Sequence, residues 1–179
     1  MRLFIAINFD DKTKTAFSKI IQSLKTISIK GNFTSTANLH LTLAFLGERN
    51  QVEVDAIYQA MHKISSRSIK LAFMRIGFFA RNSSKTKLVW IGVEPNPDLN
   101  ALFQDLKHVL ASHAIFFEDI DFSPHITIGR EIILQNDVES FDSTICFEPV
   151  SFQPDRISLM ESKHQDGILF YHELGSKKL

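Results

Sequence analysis

The chain carries the stretch Asn38-Leu39-His40-Leu41-Thr42-Leu43, and a near-copy, Ser123-Pro124-His125-Ile126-Thr127-Ile128, lies in its second half. Both stretches read His-x-Thr, with apolar residues at the alternate positions. Successive side chains of a β-strand point to opposite faces, so the histidine and threonine of each copy share one face. The repeat therefore predicts two strands that each present an imidazole beside a hydroxyl, with an apolar face packed behind them.

These residue types suit the handling of a phosphate group. An imidazole can donate or accept a proton near neutral pH, and a hydroxyl can hydrogen-bond a developing oxyanion. A single His-x-Thr is more often a structural imidazole, but two copies with the same apolar alternation favour a site with an acid and a base. We predict that His40 and His125 are catalytic and that Thr42 and Thr127 bind substrate.

Composition narrows the class of protein. With 179 residues and 44% apolar residues, the chain is large enough for a substantial core. The formal net charge is zero and the sequence pI is about 7.1, so no overall basic field attracts long nucleic acid. A small ligand or a terminal phosphate fits this charge balance better.

The single cysteine and the amino-terminal segment bear on location. Cys146 cannot form an intramolecular disulfide and lacks the clustered partners of a zinc site, which favours a reducing compartment, by default the cytoplasm. The apolar run from Leu3 to Ile7 is too short to cross a bilayer, and Asp10 and Asp11 follow it without a signal-peptide cleavage pattern. We expect a first strand there and no membrane association.

Hydrophobic spacing predicts alternating helices and strands in an α+β fold. Three amphipathic helices are indicated by apolar residues at helical spacing, at Phe17 to Leu24, Val54 to Ile64 and Leu99 to Leu110. Further strands are predicted at Phe33 to Leu46, Leu71 to Phe79, Lys87 to Val93, Ile145 to Phe147, Arg156 to Glu161 and Ile168 to Leu174, with an exposed loop at Arg81 to Lys85 and a hairpin turn at Gly167. Short alternating strands without βαβ periodicity indicate largely antiparallel sheets. The repeat predicts two similar lobes that face one cleft, within a single domain over residues 1–179.

The chain resembles the two-histidine (2H) phosphoesterases, whose signature is a pair of His-x-Thr motifs on strands lining a central groove. Within that group it is most similar to the RNA 2′,3′-cyclic phosphodiesterases, whose bacterial members are also called 2′-5′ RNA ligases. The resemblance covers essentially the whole chain and rests on Met1 to Ile7, the first motif with Phe45-Leu46-Gly47-Glu48, Pro124 to Arg130, and Met160-Glu161-Ser162. It implies a bilobal antiparallel α+β fold with pseudo-twofold symmetry around the cleft.

The resemblance also implies a reaction and further site residues. A 2′,3′-cyclic phosphate end of RNA or of a small nucleotide is opened by water to a 2′-phosphate, with His40 as the acid and His125 as the base. The family pattern aims Arg130 at the phosphate, whereas strict alternation puts it on the face away from His125, so a bulge at Gly129 would have to re-aim it. Phe33 stands where the family often has basic and Trp residues. Its ring can offer a face for a nucleobase, and packing in the core is the alternative for any one of the 16 phenylalanines.

Several functions remain open alternatives to the hydrolysis of cyclic ends. The same two histidines would serve a 2′-5′ RNA ligase or a 2′-5′ oligoadenylate phosphodiesterase, and a nucleotide-binding module without turnover is the alternative of a different class. The remaining histidines show no spacing typical of a metal site, so we predict catalysis without metal or cofactor by a monomer; they are His62, His108, His113, His164 and His172.

Overall fold

The computed structural model describes residues 1–80, 86–117, 122–135 and 147–179. Its helices are α1 (Asp11–Thr26), α2 (Gln51–Met61) and α3 (Pro97–Ser112), with a 3-10 turn at Thr36–Asn38. Its strands are β1 (Arg2–Asn8), β2 (Ser28–Phe33), β3 (His40–Glu48), β4 (Leu71–Ala80), β5 (Lys87–Val93), β6 (His125–Leu134), β7 (Val150–Phe152), β8 (Arg156–Gln165) and β9 (Ile168–Lys178). None of the helices in the described ranges is long and apolar enough to span a lipid bilayer.

The strands form two antiparallel sheets, and each sheet contains one His-x-Thr strand. Sheet one has the order β3-β1-β8-β9, and sheet two has the order β2-β6-β5-β4-β7. Strands β3 and β6 contact each other where the two sheets meet. This arrangement confirms the predicted α+β fold of two antiparallel sheets around a cleft and places both motifs beside it.

One apolar core draws residues from both sheets and all three helices. On β1, the alternation puts Leu3, Ile5 and Ile7 into this core, and the three side chains are fully buried. Phe4 and Ala6 point the other way and form a small cluster with Met160 of β8. Strand β1 is therefore apolar on both faces, which is why its sequence reads as a continuous apolar run.

The helices begin where the sequence supplies capping side chains. Asp10 accepts a hydrogen bond from the Thr13 amide at 2.8 Å at the start of α1, and Asn96 does the same for Leu99 at the start of α3. The apolar stripe predicted for α1 is buried as expected, whereas the predicted second helix ends at Met61, before Ile64.

Two strand predictions differ from the structure. The stretch from Phe33 to Leu46 is not one strand, because β2 ends at Phe33 and the 3-10 turn intervenes before β3 begins at His40. Of the strand predicted at Ile145 to Phe147, residues 145–146 lie outside the described residues, and Phe147 belongs to no strand. The short strand in this region is β7 instead. The predicted loop at 81–85 also falls outside the described residues.

Each His-x-Thr strand contains a one-residue bulge just after its threonine. On β6, Thr127 pairs with Trp90 and Gly129 pairs with Val89, so β6 has one more residue than β5 over this step. Ile128 and Gly129 both face the core, and the alternation then resumes with Arg130 on the exposed side. On β3 the same shift separates Thr42 from Ala44 in the pairing with β1.

The bulge on β6 is packed tightly at its glycine. A Cβ added at Gly129 would lie 2.7 Å from the Cδ1 atom of Ile132, whereas Ala44 already carries a Cβ at the equivalent bulge position of β3. We therefore expect Gly129→Ala to lower the free energy of unfolding by about 1–3 kcal/mol through overpacking rather than through the backbone. Chemical denaturation will measure this change.

A second substitution shows whether overpacking or a backbone effect causes the lower free energy of unfolding of Gly129→Ala. Ile132→Val removes the Cδ1 atom, so the double variant should lose less stability than the two single losses combined. Strict additivity of the two losses would contradict the overpacking explanation.

Candidate active site

The two motif histidines stand at the first residues of β3 and β6 and face the same cleft. Both rings are partly buried, and the charge of a protonated His125 contributes to the pKa of His40, so the rings are within electrostatic reach of each other. We use the term cleft for the space bordered by His40, Thr42, His125 and Thr127. Two residues distant in the sequence are thereby brought to one site.

Each histidine ring is held by a carbonyl two residues earlier in the chain. His40 donates from Nδ1 to the Asn38 carbonyl at 2.7 Å, and His125 donates from Nδ1 to the Ser123 carbonyl at 2.7 Å. Because a carbonyl oxygen only accepts, each Nδ1 carries a proton. In both rings Nε2 is therefore the atom that gains or loses the working proton.

Aromatic side chains from other strands pack around His40. Phe4 lies 4.8 Å from the His40 ring between centroids, and Tyr171 of β9 lies 5.0 Å away in an edge-on arrangement. Phe4 and Tyr171 also contact each other at 4.9 Å. Tyr171 carries no signal for this position in the sequence, because nothing in its local pattern shows that the β8-β9 hairpin brings it beside His40.

His125 has a corresponding pair of aromatic neighbours on sheet two. Its ring centroid lies 5.5 Å from Phe79 and 6.3 Å from Trp90. Glycines leave room for the indole, because a Cβ at Gly77 would lie 2.3 Å from the Trp90 ring and one at Gly92 would lie 2.9 Å away. The two rings of the candidate acid and base thus sit in similar aromatic surroundings on opposite sheets.

The two threonines lie beside their histidines on the cleft side. Thr42 Oγ1 is 3.0 Å from His40 Nε2, and this hydroxyl is exposed. Thr127 is partly buried, and its backbone carbonyl accepts a hydrogen bond from the Thr34 hydroxyl at 2.9 Å. The Thr34 amide also donates to the Ile128 carbonyl, so the segment after β2 holds the second motif in place.

Arg130 is brought to the cleft by the bulge in β6. Its side chain is exposed, and its positive charge acts on both His40 and Tyr171 across the cleft. Strict alternation predicts the opposite face, and the bulge at Ile128 and Gly129 explains the difference. The structure therefore joins Arg130 to the histidines and threonines.

Phe33 is not brought together with these residues. It pairs with Gly129, which faces the core, and its ring packs partly buried against that core. The Lys25 ammonium of α1 lies 5.5 Å from the centre of the Phe33 ring. The expected base-stacking role of Phe33 thus finds no support in its position, because the ring is on the α1 side of sheet two.

The sequence pattern of the family described as the 2′-5′ RNA ligase superfamily matches residues 13–166. This chain belongs to the 2′-5′ RNA ligase superfamily. An RNA 2′,3′-cyclic phosphodiesterase of Thermotoga maritima is 32% identical over 164 residues, covering 90% of this chain and 87% of the relative. One of Archaeoglobus fulgidus is 32% identical over 131 residues, covering 73% and 72%.

Solved structures of this superfamily agree with the fold. The crystal structure of E. coli LigT complexed with 3′-AMP matches with a TM-score of 0.79 at 25% identity, covering 99% of this chain and 97% of that one. A crystal structure described as a phosphoesterase matches with a TM-score of 0.78 at 26% identity, covering 99% and 97%. The predicted family and fold are confirmed.

Asn38 connects the superfamily's first histidine to the β8-β9 hairpin. Its backbone carbonyl accepts from His40 Nδ1, and its side-chain amide donates to the Leu169 carbonyl at 2.9 Å. Leu169 lies near the hairpin turn, where Asp166 and Gly167 have positive φ. The hairpin therefore reaches over to the segment that precedes β3, and it covers the His40 side of the cleft with Tyr171.

The other five histidines stay outside this arrangement. His62 and His113 follow α2 and α3 and bond with Nδ1 to carbonyls of their own helices, at 3.0 and 2.8 Å. His108 lies on α3, and His164 and His172 lie on β8 and β9. Across the described ranges, no group of three or more His, Cys, Asp or Glu side chains is placed to hold a metal ion.

The surroundings of His40 lower its pKa. Burial is the largest cause, the Asn38 carbonyl opposes it, and the charges of Arg130, Lys14 and His125 lower the pKa further. Desolvation and neighbouring positive charge both disfavour an imidazolium. In the free protein the protonation equilibrium of His40 is therefore shifted towards the neutral ring, whose Nε2 lone pair faces Thr42.

This shift makes stability depend on pH. The pKa of His40 is lower in the folded chain than the ordinary histidine value of 6.5, so the unfolded chain binds more protons between the two values. The free energy of unfolding should fall as the pH drops through this window, and the fall should end below the folded-state pKa. We expect His40→Gln to remove this contribution, measured as the difference from wild type in denaturation at several pH values.

A titration followed by NMR gives the direct reading. The His40 ring resonance should titrate with a midpoint below 6.5, and a midpoint at or above that value would contradict the described environment. His172→Gln, on an exposed position of β9, is the matched control and should leave the His40 contribution unchanged.

Proposed function

We propose that this chain is an RNA 2′,3′-cyclic phosphodiesterase that opens 2′,3′-cyclic phosphate ends to 2′-phosphates. The observation that carries the proposal is the pair of histidines on opposite sheets, each with Nδ1 fixed by a carbonyl and Nε2 free to transfer a proton. The relatives from T. maritima and A. fulgidus, which bear that name, support the same reaction.

The reaction needs one base and one acid. In the proposed step, His125 Nε2 takes a proton from water as the water oxygen forms a bond to phosphorus. The bond between phosphorus and O3′ breaks, and His40 Nε2 donates a proton to the departing O3′. One water is consumed, and the products are a 2′-phosphate and a 3′-hydroxyl. Each positioned proton transfer contributes roughly 10²- to 10⁴-fold to the rate.

Neighbouring side chains would stabilise the charge that develops on the phosphate. The Thr42 hydroxyl lies beside His40, and Thr127 follows His125 by two residues on the same strand face, so both hydroxyls can donate to the nonbridging oxygens. Arg130 adds a positive charge that already reaches His40 across the cleft. These residues are the proposed substrate-binding set.

The lowered pKa of His40 fits this division of roles once substrate is bound. In the empty cleft, burial and nearby cations favour the neutral ring. A phosphodiester anion brings negative charge next to Nε2 and favours the protonated ring. Substrate binding would thus raise the proton affinity of His40, so that Nε2 takes a proton from solvent and later donates it to O3′.

Both proposed catalytic histidines come from the same chain, so the reaction requires no second copy, and we propose a monomer. The balanced charge suits RNA ends or small nucleotides as substrates, with no membrane partner. The single cysteine supports a reducing location such as the cytoplasm.

Replacing either histidine tests the proposal. His40→Ala and His125→Ala should each lower turnover of a cyclic-ended RNA by about 10²- to 10⁴-fold, because each removes one proton transfer. The assay follows release of the 2′-phosphate product, with and without chelator, and we expect chelator to have no effect. His108→Ala, exposed on α3, is the control and should retain wild-type turnover.

Other substrates in the same assay separate the alternatives. Exclusive cleavage of a 2′-5′ oligoadenylate, or joining of a 5′-hydroxyl RNA in excess of hydrolysis, would replace the proposal by one of these activities. Binding of all substrates without turnover would indicate a nucleotide-binding module.

The assignment of acid and base has its own test. A p-nitrophenyl ester of a nucleoside phosphate has a leaving group that needs no proton, so loss of the acid matters little while loss of the base still matters. We expect His40→Ala to lose much less activity on this ester than His125→Ala, measured by p-nitrophenolate release. Equal losses, or the reverse order, would contradict His40 as the acid.

A further inference from the structure

The arginines of the described residues fall into two groups. Four have carboxylate partners, namely Arg49 with Glu53 at 3.0 Å, Arg75 with Glu94 at 3.2 Å, Arg156 with Asp155 at 3.7 Å, and Arg67 with Asp105. Arg2 and Arg130 form no such ion pair with any residue of the described ranges. Both of these are exposed. Exposed guanidinium groups without a carboxylate are available to an external anion.

Arg2 lies on the cleft side of sheet one. Arg2 and Phe4 are two residues apart on β1, so their side chains share one face, and Phe4 contacts the His40 ring. Across the sheet, Arg2 pairs with Ser162 of β8, and Ser162 pairs with Tyr171 of β9. The charges of Arg2 and Arg130 both act on Tyr171, whose pKa is raised by burial and lowered by the two arginines. Tyr171 is therefore within electrostatic reach of both arginines, and His40 is within electrostatic reach of Arg130.

The guanidinium of Arg2 is held by an aromatic ring rather than by an acid. Its central carbon lies 5.0 Å from the centre of the Phe45 ring, which is 43% exposed. Glu48, the residue aligned with Arg2 on β3, contacts the amino-terminal ammonium at 3.5 Å instead. A cation stacked on an aromatic face keeps its N–H groups free in the ring plane, where they can bind an anion.

We propose that Arg2 binds a second phosphate of the substrate, the one attached to the 5′ oxygen of the terminal nucleoside. The inference rests on the proposed function, in which the cyclic phosphate lies between His40 and His125 near Arg130. An RNA end carries a phosphate on the 5′ side of its last nucleoside, whereas a cyclic nucleoside monophosphate does not. Arg2 would therefore distinguish the end of an RNA chain from a single cyclic nucleotide.

Binding of two product-like nucleotides tests this role without turnover. Calorimetry on the intact chain at low salt compares adenosine 2′-phosphate with adenosine 2′,5′-bisphosphate, which differ only in the 5′-phosphate. We expect wild type to bind the bisphosphate about 10-fold more tightly, a typical gain for a charge-assisted bond. Arg2→Gln should abolish this advantage and leave affinity for adenosine 2′-phosphate unchanged, and Arg2→Lys should retain part of it.

Lys63→Gln is the matched control, since it removes a positive charge from an exposed position after α2, outside the cleft. It should keep the full preference for the bisphosphate. The proposal is overturned if wild type does not prefer the bisphosphate, if Arg2→Gln keeps the preference, or if Arg2→Gln weakens both nucleotides equally.

Turnover separates this inference from the proposed function. Wild type and Arg2→Gln are assayed on a cyclic-ended dinucleotide and on a cyclic nucleoside monophosphate. A loss confined to the dinucleotide supports the role of Arg2, and equal rates of the two proteins on both substrates overturn it. If wild type turns over neither substrate yet Arg2→Gln loses the bisphosphate preference, the hydrolase proposal fails and the second phosphate site stands.

Discussion

The hydrogen bond from Nδ1 of each motif histidine to the carbonyl two residues before it is the constraint on which the site depends. It occurs in both motifs at 2.7 Å, between His40 and Asn38 and between His125 and Ser123. The bond fixes which nitrogen of each ring carries a permanent proton, and it turns the other nitrogen towards the cleft. Without it, neither ring would have a fixed Nε2 available for proton transfer in the cleft.

A shared backbone bulge places different residue types at equivalent positions of the two motif strands. In both motif strands the bulge follows the threonine, so the next outward residue returns to the cleft side. That residue is Phe45 on β3 and Arg130 on β6, and the first supports a cation whereas the second is one. One local geometry, repeated, thus yields an aromatic position on one sheet and a cationic position on the other.

The sequence was sufficient for the parts of the site that depend on local alternation. The histidines and threonines, the helical stripes and the α+β class all follow from periodicities of two and 3.6 residues. The roles of Phe4 and Tyr171 could not be predicted from the sequence, because they pack on His40 only through the pairing of β1 with strands distant in the chain. The face taken by the Phe33 ring could not be predicted for a related reason, since only the pairing of β2 with β6 shows it.

The bond from the Asn38 amide to the Leu169 carbonyl has a consequence for synthesis of the protein on the ribosome. Strand β1 pairs with β8, and the hairpin that shields His40 consists of residues 156–178. A nascent chain can therefore display the complete first motif, with His40 open to water, until residues 156–178 have been synthesised. The aromatic cover of His40 forms only after this hairpin emerges, so the surroundings of the site depend on long-range pairing of β8 and β9 with earlier strands.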